Sequence, residues 1–376
     1  MKTTIRILCI AGMLILLLTA CTASVPQTGE ATPEPAAETT FEPDEPVTVE
    51  LITTPRPAAI TEAPATDTPV PEPTEAPTDT PEPTPGPDPT REPREGDITS
   101  NFPNYDTGED ADYSYQSDEI RIAIRITKDA EKKQTYYVAD IWVRSIYSIR
   151  TVFAHNKFNS GTEEGDVIAK RENAILAVNG SYNQGLAFHG GKLYKQLRQN
   201  KGWNSCAACL IYEDGTMKTF RLGKEKLDIK EEIKNGAIHG WQFGPIIIRD
   251  YEIDQQISRY SLGYKARNML GYYEPGHYVI VTCDAGRKDA EGMNEDQMAE
   301  LMKSLGVKEA FNLDGGTSSV MVFMGEIINR PTTHNDDGKV VSGRALKDML
   351  LFGEYDANGV GKDLSTLTAS RHPGKN

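Results

Sequence analysis

Three apolar stretches of the chain end abruptly in a polar residue and a glycine. Val178 leads into Asn179-Gly180, Cys283 into Asp284-Ala285-Gly286-Arg287, and Leu313 into Asp314-Gly315-Gly316-Thr317-Ser318-Ser319. A strand end that releases a carboxylate or carboxamide into a glycine loop is where sheet enzymes build sites. Glycine lets a ligand approach the backbone, and successive amides in such a turn form a concave nest for an anion. Any one of these sequences is also an ordinary turn, Asp-Gly-Gly being a common hairpin signal. Three in one domain point to a site.

The elements that must hold these residues can be read from hydrophobic periodicity. Ile120, Ile122, Ile124 and Ile126 alternate with Arg121, Ala123 and Arg125, which predicts a half-buried strand. Tyr136–Val143, Ala174–Val178, Tyr278–Cys283, Ala310–Leu313 and Val320–Phe323 are further strands, and Asp166 is expected to cap a short helix running to about Asn173. The clearest helix starts at Asn294, with Gln297 three residues on in a capping-box arrangement. Met298, Leu301, Met302 and Leu305 follow at helical spacing, and Gly306 closes it. The predicted fold is α/β or α+β: a mixed β-sheet domain over residues 96–356 with flanking helices, followed by a frayed tail over 357–376.

Composition places this domain behind a long leader. Eighteen of the 23 prolines lie between Pro26 and Pro93, and residues 22–95 hold 16 acids against three arginines, a net −13. With Lys2 and Arg6 counted, only −4 of the total −15 remains for residues 96–376. The acidic balance thus belongs to the leader, and the domain lacks the basic character of a nucleic-acid binder. Residues 22–95 offer too few apolar side chains to offset chain entropy, so a disordered, polyproline-like stalk is expected. Ahead of it, Lys2 and Arg6 precede an apolar run from Ile7 to Leu18, a secretory signal pattern. Leu18-Thr19-Ala20-Cys21 resembles the lipobox of bacterial lipoproteins, which implies removal of residues 1–20 and a lipid anchor on Cys21. The domain would then face outward from the cytoplasmic membrane.

Other chemistries find less support. Cys206-Ala-Ala-Cys209 has redox spacing, but it runs through Leu210-Ile211-Tyr212 into Glu213-Asp214-Gly215, which reads as a strand entering a turn. Free, half-buried thiols are expected there. The six histidines are scattered without His-x-x-x-His spacing, and neither a metal nor another cofactor is expected.

Asn312-Leu313-Asp314-Gly315-Gly316-Thr317-Ser318-Ser319 resembles the N-L-D-G-G-G-S-S signature of the phosphodiester glycosidase family. The similarity runs from about Thr135 to Phe352. It takes in Ala174–Tyr182, Phe243-Gly244-Pro245, Ala266-Arg267, Asp284–Arg287, Gly292-Met293, Asn329-Arg330-Pro331 and Gly343–Leu346, in the family's order and spacing. Thr317 in place of a third glycine, the inserted Ala285 and Asn268-Met269-Leu270 depart from the pattern. The resemblance implies hydrolysis of a sugar-1-phosphodiester in a cell-wall or exopolysaccharide glycan, and the charge balance already argues against a nucleic-acid partner. Arg267, Arg287 and Arg344 become candidate phosphate clamps, since a guanidinium fork donates two parallel bonds. Asp284 and Asp314 become the candidate carboxyl pair that glycoside cleavage usually needs. Asn179, Gly180, Asn312, Gly315, Gly316, Ser318 and Ser319 are expected to bind substrate. A non-catalytic module for anionic glycans and a P–O-cleaving phosphodiesterase are the competing readings.

Overall fold

The computed structural model describes residues 92–99, 101–183, 185–198, 205–257, 263–330 and 344–372, with backbone alone at 333–334 and 340–341. The expected signal segment, Cys21 and nearly all of the stalk lie outside the described residues. Three sheets share one central core. The largest has nine strands in the order Glu252–Ile253, Ile246–Arg249, Glu309–Asn312, Arg267–Glu274, His277–Cys283, Gln134–Val143, Ile120–Asp129, Tyr113–Gln116 and Ser370–Arg371. A second has five: Lys192–Lys195, Ala187–His189, Ala237–Phe243, Ala207–Tyr212 and Met217–Arg221. The third also has five: Glu326–Ile327, Met321–Phe323, Leu176–Asn179, Asp348–Phe352 and Ile149–Phe153. Every ladder between described strands is antiparallel. Of the two classes expected, α+β is the one that fits this sheet domain with few helices, and α/β is set aside.

Side-chain alternation explains why the three sheets meet. Ile120, Ile122, Ile124, Tyr278, Ile280 and Phe311 of the large sheet face Cys209, Ile211 and Trp241 of the second and Leu176, Val178 and Leu350 of the third. The opposite faces are also buried where a helix covers them. Val279, Val281 and Met269 lie with Met298 and Met302 of the Glu295–Ser304 helix, and Ala177 and Val322 lie with Ile168 and Ala169 of the Gly165–Arg171 helix. This is why Tyr278–Cys283 is buried throughout, whereas Ile120–Ile126 alternates with arginine on an uncovered face. The capping box forms as expected: Asn294 Oδ1 accepts from Gln297 N at 2.9 Å and Asn294 N donates to Gln297 Oε1 at 3.1 Å.

Three expectations need correction. The short helix is capped at Glu164, and Asp166 sits inside its first turn. Residues 357–372 do not fray: Tyr355 bridges to Gly361, and Ser370–Arg371 pairs antiparallel with Tyr113–Ser114. Cys206 and Cys209 form no disulfide and are fully buried rather than half-buried, because their sheet has the central core on one side and the Ile229–Lys234 helix on the other.

Candidate active site

Antiparallel pairing gathers the site. The start of each strand lies beside the end of its neighbour, so Arg267 pairs with Cys283, Met269 with Asn312, and Met349 with Asn179. Residues far apart in sequence therefore collect at one end of two sheets. A chain of buried side-chain bonds ties those sheets together. Thr282 Oγ1 donates to Asn268 Oδ1 at 3.0 Å, Asn268 Nδ2 donates to Asn179 Oδ1 at 2.8 Å, and Asn179 Nδ2 donates to the Asp314 carbonyl at 2.7 Å. Asn179 Oδ1 also accepts from Val320 N at 3.1 Å, and Asp314 N donates to the Gly180 carbonyl at 3.2 Å. Asn179 and Gly180 thus position the Asp314 loop from below. Asn312 acts in a similar way, since its Nδ2 donates to the Gly244 carbonyl at 2.8 Å and holds the Gly244-Pro245 segment.

The Asp314–Ser319 segment is not a hairpin turn. It carries the chain from the nine-stranded sheet to a five-stranded one through a 3-10 turn at Gly316–Ser318. Gly316 has φ of 62°, and a Cβ on Gly315 would sit 2.8 Å from the Ala266 carbonyl oxygen. Both positions require glycine. Thr317 has an ordinary negative φ and a partly exposed side chain, so the third glycine of the family signature is dispensable here.

The two candidate aspartates occupy different surroundings. Asp284 is fully buried. Its Oδ1 accepts from Asn329 Nδ2 and from Arg330 N, both at 3.1 Å, while Arg287 Nη1 and Nη2 approach Oδ2 at 3.4 and 3.3 Å. Burial raises its pKa against the opposing pull of Arg287 and these donors. Asp314 is 8% exposed and lies beneath Arg344 at the mouth of the site, where Oδ2 accepts from Arg344 Nη2 at 2.8 Å and Oδ1 accepts from Gly315 N at 3.0 Å. Arg344 is 42% exposed, donates through Nε to Ser318 Oγ at 2.7 Å, and lies 4.0 Å above the Tyr182 ring. Lys347 Nζ lies 4.7 Å from the same ring. The mouth is therefore cationic around one carboxylate.

The three arginines do not converge on one ligand. Arg267 is 2% exposed, and its Nε and Nη2 donate to the carbonyls of Met293 and Gly263 at 3.1 and 2.7 Å. Burial lowers its pKa to about 10. It braces the strand start, and the clamp role expected of it does not fit. Arg287 is turned toward Asp284 and Asp289. Of the three, Arg344 is the one open to a bound anion.

Asp348 joins the site without a sequence signal of the kind that marks the other residues. It opens a strand, whereas Asn179, Asp284 and Asp314 stand where strands end. It is fully buried beneath Gly180, and its Oδ2 accepts from Ser181 N at 3.1 Å. Burial, opposed by the amides of Ser181, Tyr182 and Asn183 and reinforced by the nearby Asp314 charge, raises its pKa to about 7. Asp348 Oδ1, Ser181 Oγ and Ser319 Oγ are buried with no hydrogen-bond partner among the described residues. Orphaned buried polar atoms at a site mark places that water or a ligand completes.

A profile of the phosphodiester glycosidase family matches residues 163–352. The chain is 28% identical over 139 residues to the human N-acetylglucosamine-1-phosphodiester alpha-N-acetylglucosaminidase, a stretch that is 34% of this chain and 27% of that protein. It is 32% identical over 171 residues to the SPbeta prophage-derived uncharacterized protein YomE of Bacillus subtilis, covering 43% of this chain and 26% of the relative. The match thus spans about a quarter of the length of these relatives. Among solved structures, the zebrafish N-acetylglucosamine-1-phosphodiester alpha-N-acetylglucosaminidase catalytic domain, auto-inhibited by its pro-peptide, superposes with a TM-score of 0.50 at 22% identity. That alignment covers 63% of this chain and 84% of the zebrafish one, and it supports the fold. The profile spans half the chain and contains Asn179, Asp284, Asp314, Arg344 and Asp348, and on that match the chain belongs to the phosphodiester glycosidase family.

Proposed function

We propose that the chain is an extracytoplasmic hydrolase that cleaves a sugar-1-phosphodiester at the glycosidic C–O bond, in a cell-wall or exopolysaccharide glycan. The observation that carries this reading is the pairing of Asp314 with the exposed Arg344 above buried polar atoms that lack partners among the described residues. Asp314 supplies the carboxylate that attacks C1 or activates water at C1. The C1–O bond breaks, its electron pair stays on the bridging oxygen, and the phosphomonoester departs against Arg344. A phosphate monoester has a second pKa of about 6, so it leaves readily without a strong acid behind it. One carboxylate beside an exposed cation then suffices, and Asp284 holds Arg287 and Asn329 in place.

Hydrolysis in ¹⁸O-labelled water tests the bond. Label on the sugar C1 hydroxyl is expected, with the phosphomonoester unlabelled. Label on phosphate would move the chain to the phosphodiesterases, and tight binding without turnover would make it a glycan-binding module.

The lipobox-like Cys21 and the Pro-rich segment support a lipid-anchored, stalked arrangement on the outer face of the membrane. Cys21→Ala should release the protein from the membrane fraction or leave it at precursor mass. Limited proteolysis should yield a stable core beginning near residues 96–115.

A further inference from the structure

On the strand that neighbours Asp348 lies an open cleft of about 280 Å³ whose walls include Phe153, Asn156, His189 and Tyr194. Its aromatic side is already assembled. Phe153 stacks on the His189 ring at 4.2 Å between centroids and meets Tyr194 edge-on at 4.9 Å, and Phe158 closes against Phe153 at 5.3 Å. Tyr194 is 37% exposed, with Lys192 Nζ 5.0 Å from its ring centroid, so the ring lies within reach of a ligand. The polar side is unfinished. His189 is 5% exposed, and neither of its ring nitrogens has a hydrogen-bond partner among the described residues. Burial pushes its pKa well below the ordinary imidazole value, so the ring is neutral. A neutral imidazole presents one donor and one acceptor, which matches a hydroxyl that can both donate and accept.

Backbone pairing ties the walls of the cleft to the segments that hold Asp348. Phe153 is the register partner of Asp348 on adjacent antiparallel strands, so the two side chains project from the same face about 5 Å apart at Cβ. Ala154 N donates to the Lys347 carbonyl at 3.0 Å, and Lys195, next to Tyr194, donates to the Asn183 carbonyl at 2.7 Å. Asn183 lies two residues beyond the Ser181 amide that binds Asp348. Ligand pockets for small molecules start at roughly 300 Å³, so this cleft suits a single ring.

We propose that this cleft is a subsite for an uncharged sugar residue of the glycan, placed beside the phosphodiester that Asp314 cleaves. The sugar's C–H face lies against Tyr194, and a hydroxyl satisfies His189. The proposal rests on the hydrolase reading and makes the substrate an oligomer rather than an isolated sugar phosphodiester.

Two measurements on the full chain test it. The first compares turnover of a methyl-capped sugar-1-phosphodiester with that of the same sugar-1-phosphate joined to an oligosaccharide. Tyr194→Ala should raise KM for the oligosaccharide substrate about tenfold and leave kcat/KM for the methyl diester within about twofold. Equal loss on both substrates, or no loss on either, would overturn the subsite. The second measurement is calorimetric titration with phosphate-free hexose and N-acetylhexosamine tetrasaccharides, which does not depend on catalysis. Wild type should bind at least one of them, and Tyr194→Ala and His189→Gln should each weaken it about tenfold at unchanged Tm. If turnover is absent but this binding is present and lost in the variants, the hydrolase reading fails and the subsite stands. If no tetrasaccharide binds, the subsite fails whatever the turnover.

Discussion

Asp284 and Asp314 follow strands of one sheet, each leading into a glycine, yet the fold treats them differently. Asp284 is enclosed, with Arg287, Asn329 and the Arg330 amide converging on its carboxylate. Asp314 shares its carboxylate with an arginine that water reaches. The first arrangement offsets the cost of burying a charge and holds loops in register. The second leaves a carboxylate and a cation able to exchange each other for a ligand. Similar motifs can therefore encode either architecture or chemistry, and the number of partners the protein already supplies tells them apart.

The sharpest way to break this contrast is to remove the enclosed group. Asp284→Ala strands Arg287 and the Arg330 amide, and should cost about 3–5 kcal/mol of stability, seen as a large fall in Tm. If Asp284→Asn folds with wild-type Tm and has lost all turnover, the enclosed carboxylate is catalytic and the contrast collapses. At the mouth, Asp314→Asn should lower kcat by at least about a hundredfold while shifting Tm little. A variant that keeps near-wild-type turnover would remove Asp314 from the chemistry.

Asp348 sharpens the comparison through pH. Its folded pKa of about 7 lies above the usual carboxylate value of about 3.9, so between these values the folded state binds the extra proton. Stability should be fully present below pH 4 from this group and decline as pH rises towards 7, at a limit of about 1.4 kcal/mol per pH unit. Asp348→Asn should flatten that decline in denaturation midpoints measured from pH 4 to 8. An unchanged slope would show that another group carries it. The smallest effect belongs outside the site: Asn294→Ala should cost about 1 kcal/mol in chemical denaturation, through loss of the capping box, and leave turnover alone.

Much of this organisation is legible in the sequence where one physical signal dominates. The alternation at Ile120–Ile126 and the Asn294–Gln297 cap need only local geometry, and the same strands and cap appear. The positions of Asn179, Asp314 and Arg344 are legible through motif and spacing, and the fold brings them together. What the sequence hides is commitment. Nothing in the letters around Arg267 shows that two backbone carbonyls hold its guanidinium, because one of them belongs to Met293, 26 residues away. Asp348 is hidden for a related reason, since it acquires its meaning from the strand that ends at Asn179. The ordered tail escapes sequence reading because Ser370–Arg371 is too short to show periodicity and is ordered by its partner strand.

That last strand has a consequence for how the domain can be hung. Ser370–Arg371 adds to Tyr113–Ser114, so the chain enters and leaves the large sheet along the same border. Truncation before Ser370 would uncover backbone donors and acceptors on Tyr113 and Ser114 and invite a second molecule to pair there. Adjacent entry and exit also make the two ends interchangeable as attachment points. A tether attached after residue 372 would suspend the domain from the same border as one attached ahead of Tyr113.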